Sequence, residues 1–419
     1  MEQKEINYLR PFLIMVALFF IVGFLTVLIQ QFQSPLQATF LSNAGDLKNT
    51  FATMITFILF LAYPLNGGIA ARMVDKNGYK KSLIRGLWVM MAGLSIIVFS
   101  TLQYSISSIP VNIASATIPI AFFIFIAGSY TIGAALTIMQ VAVNPYFNAC
   151  NVKGTSAVQR ITIGGSANSL GSTFAPYFVT IVIFSGKTAA NTNVNDLIMP
   201  FIIFIVLLAI IVFSVSKMEL PHIDGTTNDT GVKLEKSIWS FSHLTIGLIA
   251  MFLYVGVEVA VGANLMLFAK GLGGSFAANA MLMTSLYFGG MLVGRLIGST
   301  LNGVSAKMQL GVTSALATLL LIIFLIVRNP WLLASVGFLH SVMWPSIFAL
   351  SLQKLGKYTS KAAGILMIGA LGGGLMPLIQ GMLVDAFGDW TLAWTIVLVS
   401  EAFLVYYAFL GSKVKQTGE

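Results

Sequence analysis

The hydrophobic and polar positions of this chain alternate on a coarse scale, with long apolar runs separated by short polar breaks. The pattern predicts helices at 10–37, 47–72, 81–104, 116–148, 155–184, 197–217, 239–269, 276–303, 308–328, 331–355, 359–385 and 389–412, twelve in all. Each run can cross a bilayer, which takes about 20 apolar residues as a helix. The runs are continuous rather than alternating, so membrane β-strands are excluded. The chain reads as an all-α membrane protein with 12 transmembrane helices.

One long polar stretch interrupts the pattern. Residues 218–238 carry Pro, Gly, Asp, Asn and Thr with little to bury, as expected of a linker. It separates an N-terminal bundle, 1–217, from a C-terminal bundle, 239–419. The bundles echo each other. Asn144-Pro145 ends the fourth span, and Trp344-Pro345 lies in the tenth, about 200 residues later. Pro176 in the fifth span is matched at the same offset by Pro377 in the eleventh. Two matches at one offset point to a duplicated six-helix unit, and such repeats place a binding site near the membrane midplane between them.

Composition and charge refine this picture. The chain has 419 residues, of which 57% are hydrophobic and 9% charged, against about 25% charged in a soluble domain. Of the 23 Lys and Arg, 19 fall on one face of the predicted topology; only Lys48, Lys187, Lys270 and Arg328 fall on the other. The positive-inside rule then puts both termini in the cytoplasm and the protein in the plasma membrane. The net charge of +9 reflects this bias and gives no reason to expect nucleic acid. Cys150 is the only cysteine, and the three histidines are scattered, so neither a disulfide framework nor a metal site is expected. The apolar run near the N-terminus lacks a small-residue cleavage site and reads as the first span.

Polar side chains at membrane depth are costly unless they face protein or a wet cavity. In span 1, Thr26, Gln30, Gln33 and Gln37 fall on one helical face. In span 4, Thr137, Gln140, Asn144 and Asn148 do the same, and in span 5, Thr162, Ser166, Ser169 and Thr173, with Asn168 beside them. The serines read mainly as helix-packing residues. Gln30, Gln140, Asn144 and Asn168 are the candidate ligand contacts. Uncharged amides suit a neutral polyhydroxylated ligand, and no Lys or Arg is expected at mid-depth to hold an anion. In the second half, Glu258 lies well inside span 7, with Tyr254 one turn before it and Asn264 six residues after. Trp344 in span 10 can stack on the apolar face of a sugar ring. Tyr254, Glu258, Asn264 and Trp344 complete the candidate site. A buried carboxyl such as Glu258 can carry a proton, bind sodium or accept hydroxyl hydrogen bonds. No catalytic constellation or nucleotide-binding loop is present, so neither an enzyme nor a cofactor is expected.

The loop after span 2 carries Ala71, Arg72, Asp75, Lys76, Gly78, Lys80 and Lys81. It resembles the cytoplasmic signature of the major facilitator superfamily, with Ala71 in place of the usual glycine. MQVAVNPY in span 4, QRITIGGSANSLGSTFAP in span 5, YVGVEVAVGANL in span 7 and ILMIGALGGGLMPLIQGMLVD in span 11 resemble the fucose–proton symporter family, which includes glucose/galactose permeases. The resemblance implies two pseudo-symmetric six-helix bundles and import of a hexose-type sugar by alternating access. It also implies a cytoplasmic latch at Arg72 and Asp75, and a place for Glu401 outside the cavity, because span 12 is peripheral in that fold; Arg160, at the cytoplasmic end of span 5, reads either as a further part of this gate or as an orientation charge. A monomer is expected. Two departures stand out: the family's carboxylates in spans 1 and 4 are replaced by Gln30 and Gln140. If transport is ion-coupled, Glu258 is the remaining candidate. Proton symport, sodium coupling and uncoupled facilitation stay open, as does a drug-efflux role on the same fold.

Overall fold

In a computed structural model of the chain, residues 8–150, 152–155, 157–185, 193–218, 237–298, 300 and 303–414 are described. Among them nine helices are long and apolar enough to cross a membrane, and a pair bent by 44°, Pro330–His340 with Met343–Ser351, makes a tenth. One helix, Lys48–Ile106, holds spans 2 and 3, which meet at Gly78. Gly78 has φ 73°, a backbone region that glycine enters without steric penalty. Span 5 is the helix Ala157–Tyr177 continued by a wider turn, Phe178–Ile183. The twelve predicted spans are thereby accounted for. The linker expected at 218–238 lies almost wholly outside the described residues.

Boundaries differ from the sequence pattern at several places, among them spans 8, 4 and 2. Span 8 is the helix Ala280–Gly298. Span 4 is the helix Ile120–Ala149, not a helix from 116. The preceding residues pair as an antiparallel hairpin, Pro110–Ile113 with Ala116–Pro119. The apolar Ile, Val and Ala of this segment alternate with polar residues, which suits a short ribbon rather than a helix. Span 2 runs past 72 to Gly78, so Arg72, Asp75 and Lys76 stand on the last helical turns and are exposed.

The helix breaks have local causes. A proline lacks an N–H and crowds the carbonyl four residues earlier. Pro345 crowds Ser341, and span 10 breaks between His340 and Met343. Pro176 precedes the wide turn of span 5. In span 11 a tight turn, Met367–Leu371, leads into Gly372–Phe387. Here Gly372 is required: a Cβ on it would stand 1.9 Å from the Phe252 carbonyl oxygen of span 7.

Span 1 packs on span 5, span 11 on spans 2 and 7, and span 8 on spans 5 and 10. One hydrophobic core runs through the first six spans and into the second six through Val257–Val261 and Met283–Met291 of spans 7 and 8. A second core, around Leu244, Tyr254, Ile347, Leu355 and Tyr407, belongs to the last six alone. The two sets of spans therefore share a core toward the end that carries the span 1–2 and span 11–12 loops. Toward the other end, Pro64, Ile69, Asn144, Pro145, Trp344, Pro345 and Ile368 are exposed.

Candidate functional site

Hydrogen bonds close the end where the core is shared. Gln31 of span 1 donates to the Gly262 carbonyl of span 7 at 3.1 Å. Gln33 donates to Thr56 at 2.7 Å, and Gln37 to Asn49 at 2.9 Å. Asp385 of span 11 accepts from the Asn49 side chain at 2.8 Å and from the Thr50 backbone N–H at 2.6 Å. Three of the four glutamines in spans 1 and 2's approach are thus committed to protein partners. Gln30 differs. It is 2% exposed and its side chain makes no hydrogen bond to a described residue; its Oε1 is unpartnered there, as are those of Gln31 and Gln33.

Below this closure, span 4 presents Gln140, whose Nε2 donates to the Tyr63 hydroxyl of span 2 at 2.8 Å. Tyr63 stacks on Phe60, which lies against Gly373 of span 11. Val259 of span 7 touches the same glycine, so Glu258 beside it is brought to the level of Gln140. Glu258 is half-buried, and Asn144 and Trp344 are exposed, with Trp344 stacked on Phe348 at 5.1 Å. Gln140, Asn144, Glu258 and Trp344 therefore lie toward the open end and remain reachable.

Other candidates are tied to protein. Asn168 is half-buried and donates to the Phe19 carbonyl at 3.1 Å, joining span 5 to span 1. Tyr254 is fully buried and donates to the His340 carbonyl at 2.8 Å. That carbonyl lies where span 10 breaks, so Tyr254 satisfies an acceptor that the break set free. Asn264 is fully buried and donates to Gln380 at 2.8 Å, and Gln380 donates on to the Ala393 carbonyl. Arg160 is 6% exposed and donates to the Phe147 and Thr155 carbonyls, linking the ends of spans 4 and 5. Arg72 and Asp75 are exposed, and the neighbouring Lys80 donates to the Ser216 carbonyl of span 6 at 2.8 Å.

One sequence expectation is corrected. A cation does reach the middle of the bundle: Arg295 of span 8 donates to the Ser169 hydroxyl of span 5 at 2.5 Å. Arg295 sits near the end of its apolar run, in GRLIGS, and its long side chain reaches across to span 5 between the halves. Two further features were not foreseen. His340, Glu401 and Tyr287 form one buried network across spans 8, 10 and 12. Asp385 caps span 2 from the opposite half. Their signal was an ionisable residue inside an apolar run, which by itself does not name a partner.

Twelve spans with amide-lined helices, closed at one end and open at the other, have the fold of the major facilitator transporters. The fold matches solved members of that class. Superposition on the inward-open xylose transporter of Escherichia coli gives a TM-score of 0.74 at 12% identity, over 98% of both chains. The fucose:proton symporter of the same organism gives 0.68 at 19% identity, over 98% of this chain and 100% of that one. No protein-family model matches the chain. Among curated proteins it is 30% identical to the glucose/galactose transporter of Brucella abortus, over 94% of this chain and 92% of the relative. It is 24% identical to the L-fucose-proton symporter of Escherichia coli, over 96% and 93%. The chain belongs to the glucose/galactose and fucose transporter family of the major facilitator superfamily.

Proposed function

We propose that the protein imports a neutral hexose across the plasma membrane by alternating access, coupled to protons. The observation that carries this reading is Gln30, the one glutamine of span 1 whose side chain makes no hydrogen bond to a described residue, with its amide oxygen buried and without a donor. A buried acceptor left unpaired costs about 1–3 kcal/mol, and a sugar hydroxyl would satisfy it. The names of the relatives, glucose/galactose transporter and L-fucose-proton symporter, agree in substrate class.

In this reading Gln30, Gln140, Asn144 and Asn168 hold hydroxyls from one bundle, 1–217. Tyr254, Glu258, Asn264 and Trp344 serve from the other, 239–419. Trp344 stacks on the ring, Glu258 accepts hydroxyls and carries charge, and Tyr254 and Asn264 hold span 7 in place. The linker 218–238 joins the bundles. With both termini cytoplasmic, as the charge bias supports, the closed end is external and the open end faces the cytoplasm. Arg72, Asp75 and Arg160 then lie at the cytoplasmic gate. The protein works as a monomer.

Uncoupled facilitation is the second reading, favoured by Gln30 and Gln140 at the positions of the family's carboxylates. Proteoliposomes separate the two. Symport predicts that adding glucose or galactose alkalinises the external medium. Facilitation predicts sugar equilibration with no pH change, and sodium coupling predicts dependence on external sodium instead.

A further inference from the structure

His340 and Glu401 lie at the centre of the second bundle, and both are wholly buried. His340 Nε2 stands 2.8 Å from Glu401 Oε1, and His340 Nδ1 stands 2.7 Å from the Tyr287 hydroxyl. That hydroxyl also meets the Glu258 backbone carbonyl at 3.0 Å. The protons of this chain can be counted. A carbonyl only accepts, so the Tyr287 proton points at Glu258. The hydroxyl must then accept from His340, so Nδ1 carries a hydrogen. Two acceptors 2.8 Å apart would repel, so one proton also lies between Nε2 and Oε1.

That proton sits on Glu401 as a neutral pair or on His340 as an ion pair; either way the unit is uncharged. Glu401 Oε2 is buried and finds no partner among the described residues. Loss of the proton would leave a lone pair facing a carboxylate in an apolar interior. The contact could not persist, and span 12 would part from span 10, which Tyr287 keeps tied to span 8. The other ionisable groups bearing on this network are Glu258 and Tyr254 from span 7 and Arg295 from span 8.

We propose that the His340–Glu401 pair holds the coupling proton, with Tyr287 joining its occupancy to span 7 at Glu258. This rests on the proton-symport reading and moves the stored proton from the reachable Glu258 carboxyl to a site closed to both aqueous phases. A closed site suits coupling, because a proton that cannot exchange without a change of conformation does not leak. Span 12, peripheral by its fold, becomes part of the coupling machinery. The proton enters and leaves as H⁺ when spans 8, 10 and 12 rearrange, so no other reactant is needed.

The test uses the full chain in proteoliposomes, with accumulation driven by a pH gradient and sugar counterflow at equal pH. A 1:1 symporter accumulates sugar about tenfold per unit of pH gradient. At a gradient of one pH unit, Glu401→Gln and Tyr287→Phe are expected to lose up to about tenfold in accumulation while counterflow stays near the wild-type rate. Tyr287→Phe leaves the pair intact, so it carries the same test should Glu401→Gln fail to fold. Accumulation at the wild-type level in either folded variant overturns the proposal. So does a parallel fall of accumulation, counterflow and melting temperature, which marks a packing role. Absence of gradient-driven accumulation in the wild type overturns the symport reading itself, and this proposal with it.

Discussion

Asp385 of span 11 accepts the backbone N–H groups of Asn49 and Thr50, at 3.1 and 2.6 Å, and so caps the first turn of span 2 from the opposite half of the molecule. A carboxylate at a helix N-terminus is favoured by both the free N–H groups and the helix dipole. The contact exists only while this end is closed. Asp385→Asn puts an amide N–H against a backbone N–H and removes the charge. It should weaken the closed state by about 1–2 kcal/mol, a shift of about 5–30-fold in the ratio of conformers. Spin labels across the ends of spans 2 and 11 should report a longer mean distance; an unchanged distribution would show that the cap does not hold this end shut.

Gln30 offers a second check. Replacing it with Leu removes the unpaired acceptor while keeping similar bulk. The fold should tolerate this, because Gln30 spends no hydrogen bond on a described neighbour. Hexose affinity should fall by about 1–3 kcal/mol, roughly 5–150-fold, measured by calorimetry in detergent. Unchanged affinity would remove Gln30 from the site.

Gly372 and Gly165 form a matched pair for stability. A Cβ on Gly372 meets the Phe252 carbonyl oxygen at 1.9 Å, whereas one on Gly165 meets nothing within 4 Å. Gly372→Ala should lower the melting temperature through a forced separation of spans 7 and 11, at about 1–3 kcal/mol. Gly165→Ala should leave it unchanged or raise it slightly. Equal effects from the two would contradict the close approach.

Asp389 lies outside the membrane, between spans 11 and 12, and its side chain accepts from the Thr391 N–H at 2.7 Å to cap span 12. That hydrogen bond, helped by Arg328, holds its carboxyl below the usual range. A depressed folded-state value means the stabilisation is present above the unfolded value, about 3.9, and is lost as pH falls through the folded one. Asp389→Ala should cost about 1 kcal/mol at neutral pH. Its deficit relative to wild type should shrink in melts below about pH 4.

The helices were legible because apolar runs of membrane length have few alternatives. Span 2 overran its predicted end because polar Arg72 and Lys76 end the apolar pattern while remaining good helix formers, so the helix continues to Gly78, where the backbone turns. The candidate site was legible only in part. Helical periodicity placed Gln30, Gln33 and Gln37 on one face, but it could not say that Gln33 and Gln37 spend their amides on Thr56 and Asn49 while Gln30 spends none. Cross-bundle partners such as Arg295 with Ser169, or His340 with Glu401, depend on tertiary placement that no local pattern encodes.

The most direct test of the account is sugar-triggered proton movement in proteoliposomes holding the purified full chain and an external pH indicator. The account predicts that glucose or galactose, added without a pre-formed gradient, alkalinises the medium as sugar and protons enter together. Sugar entry with no change in pH would contradict proton symport, and the absence of any hexose entry would contradict the function itself.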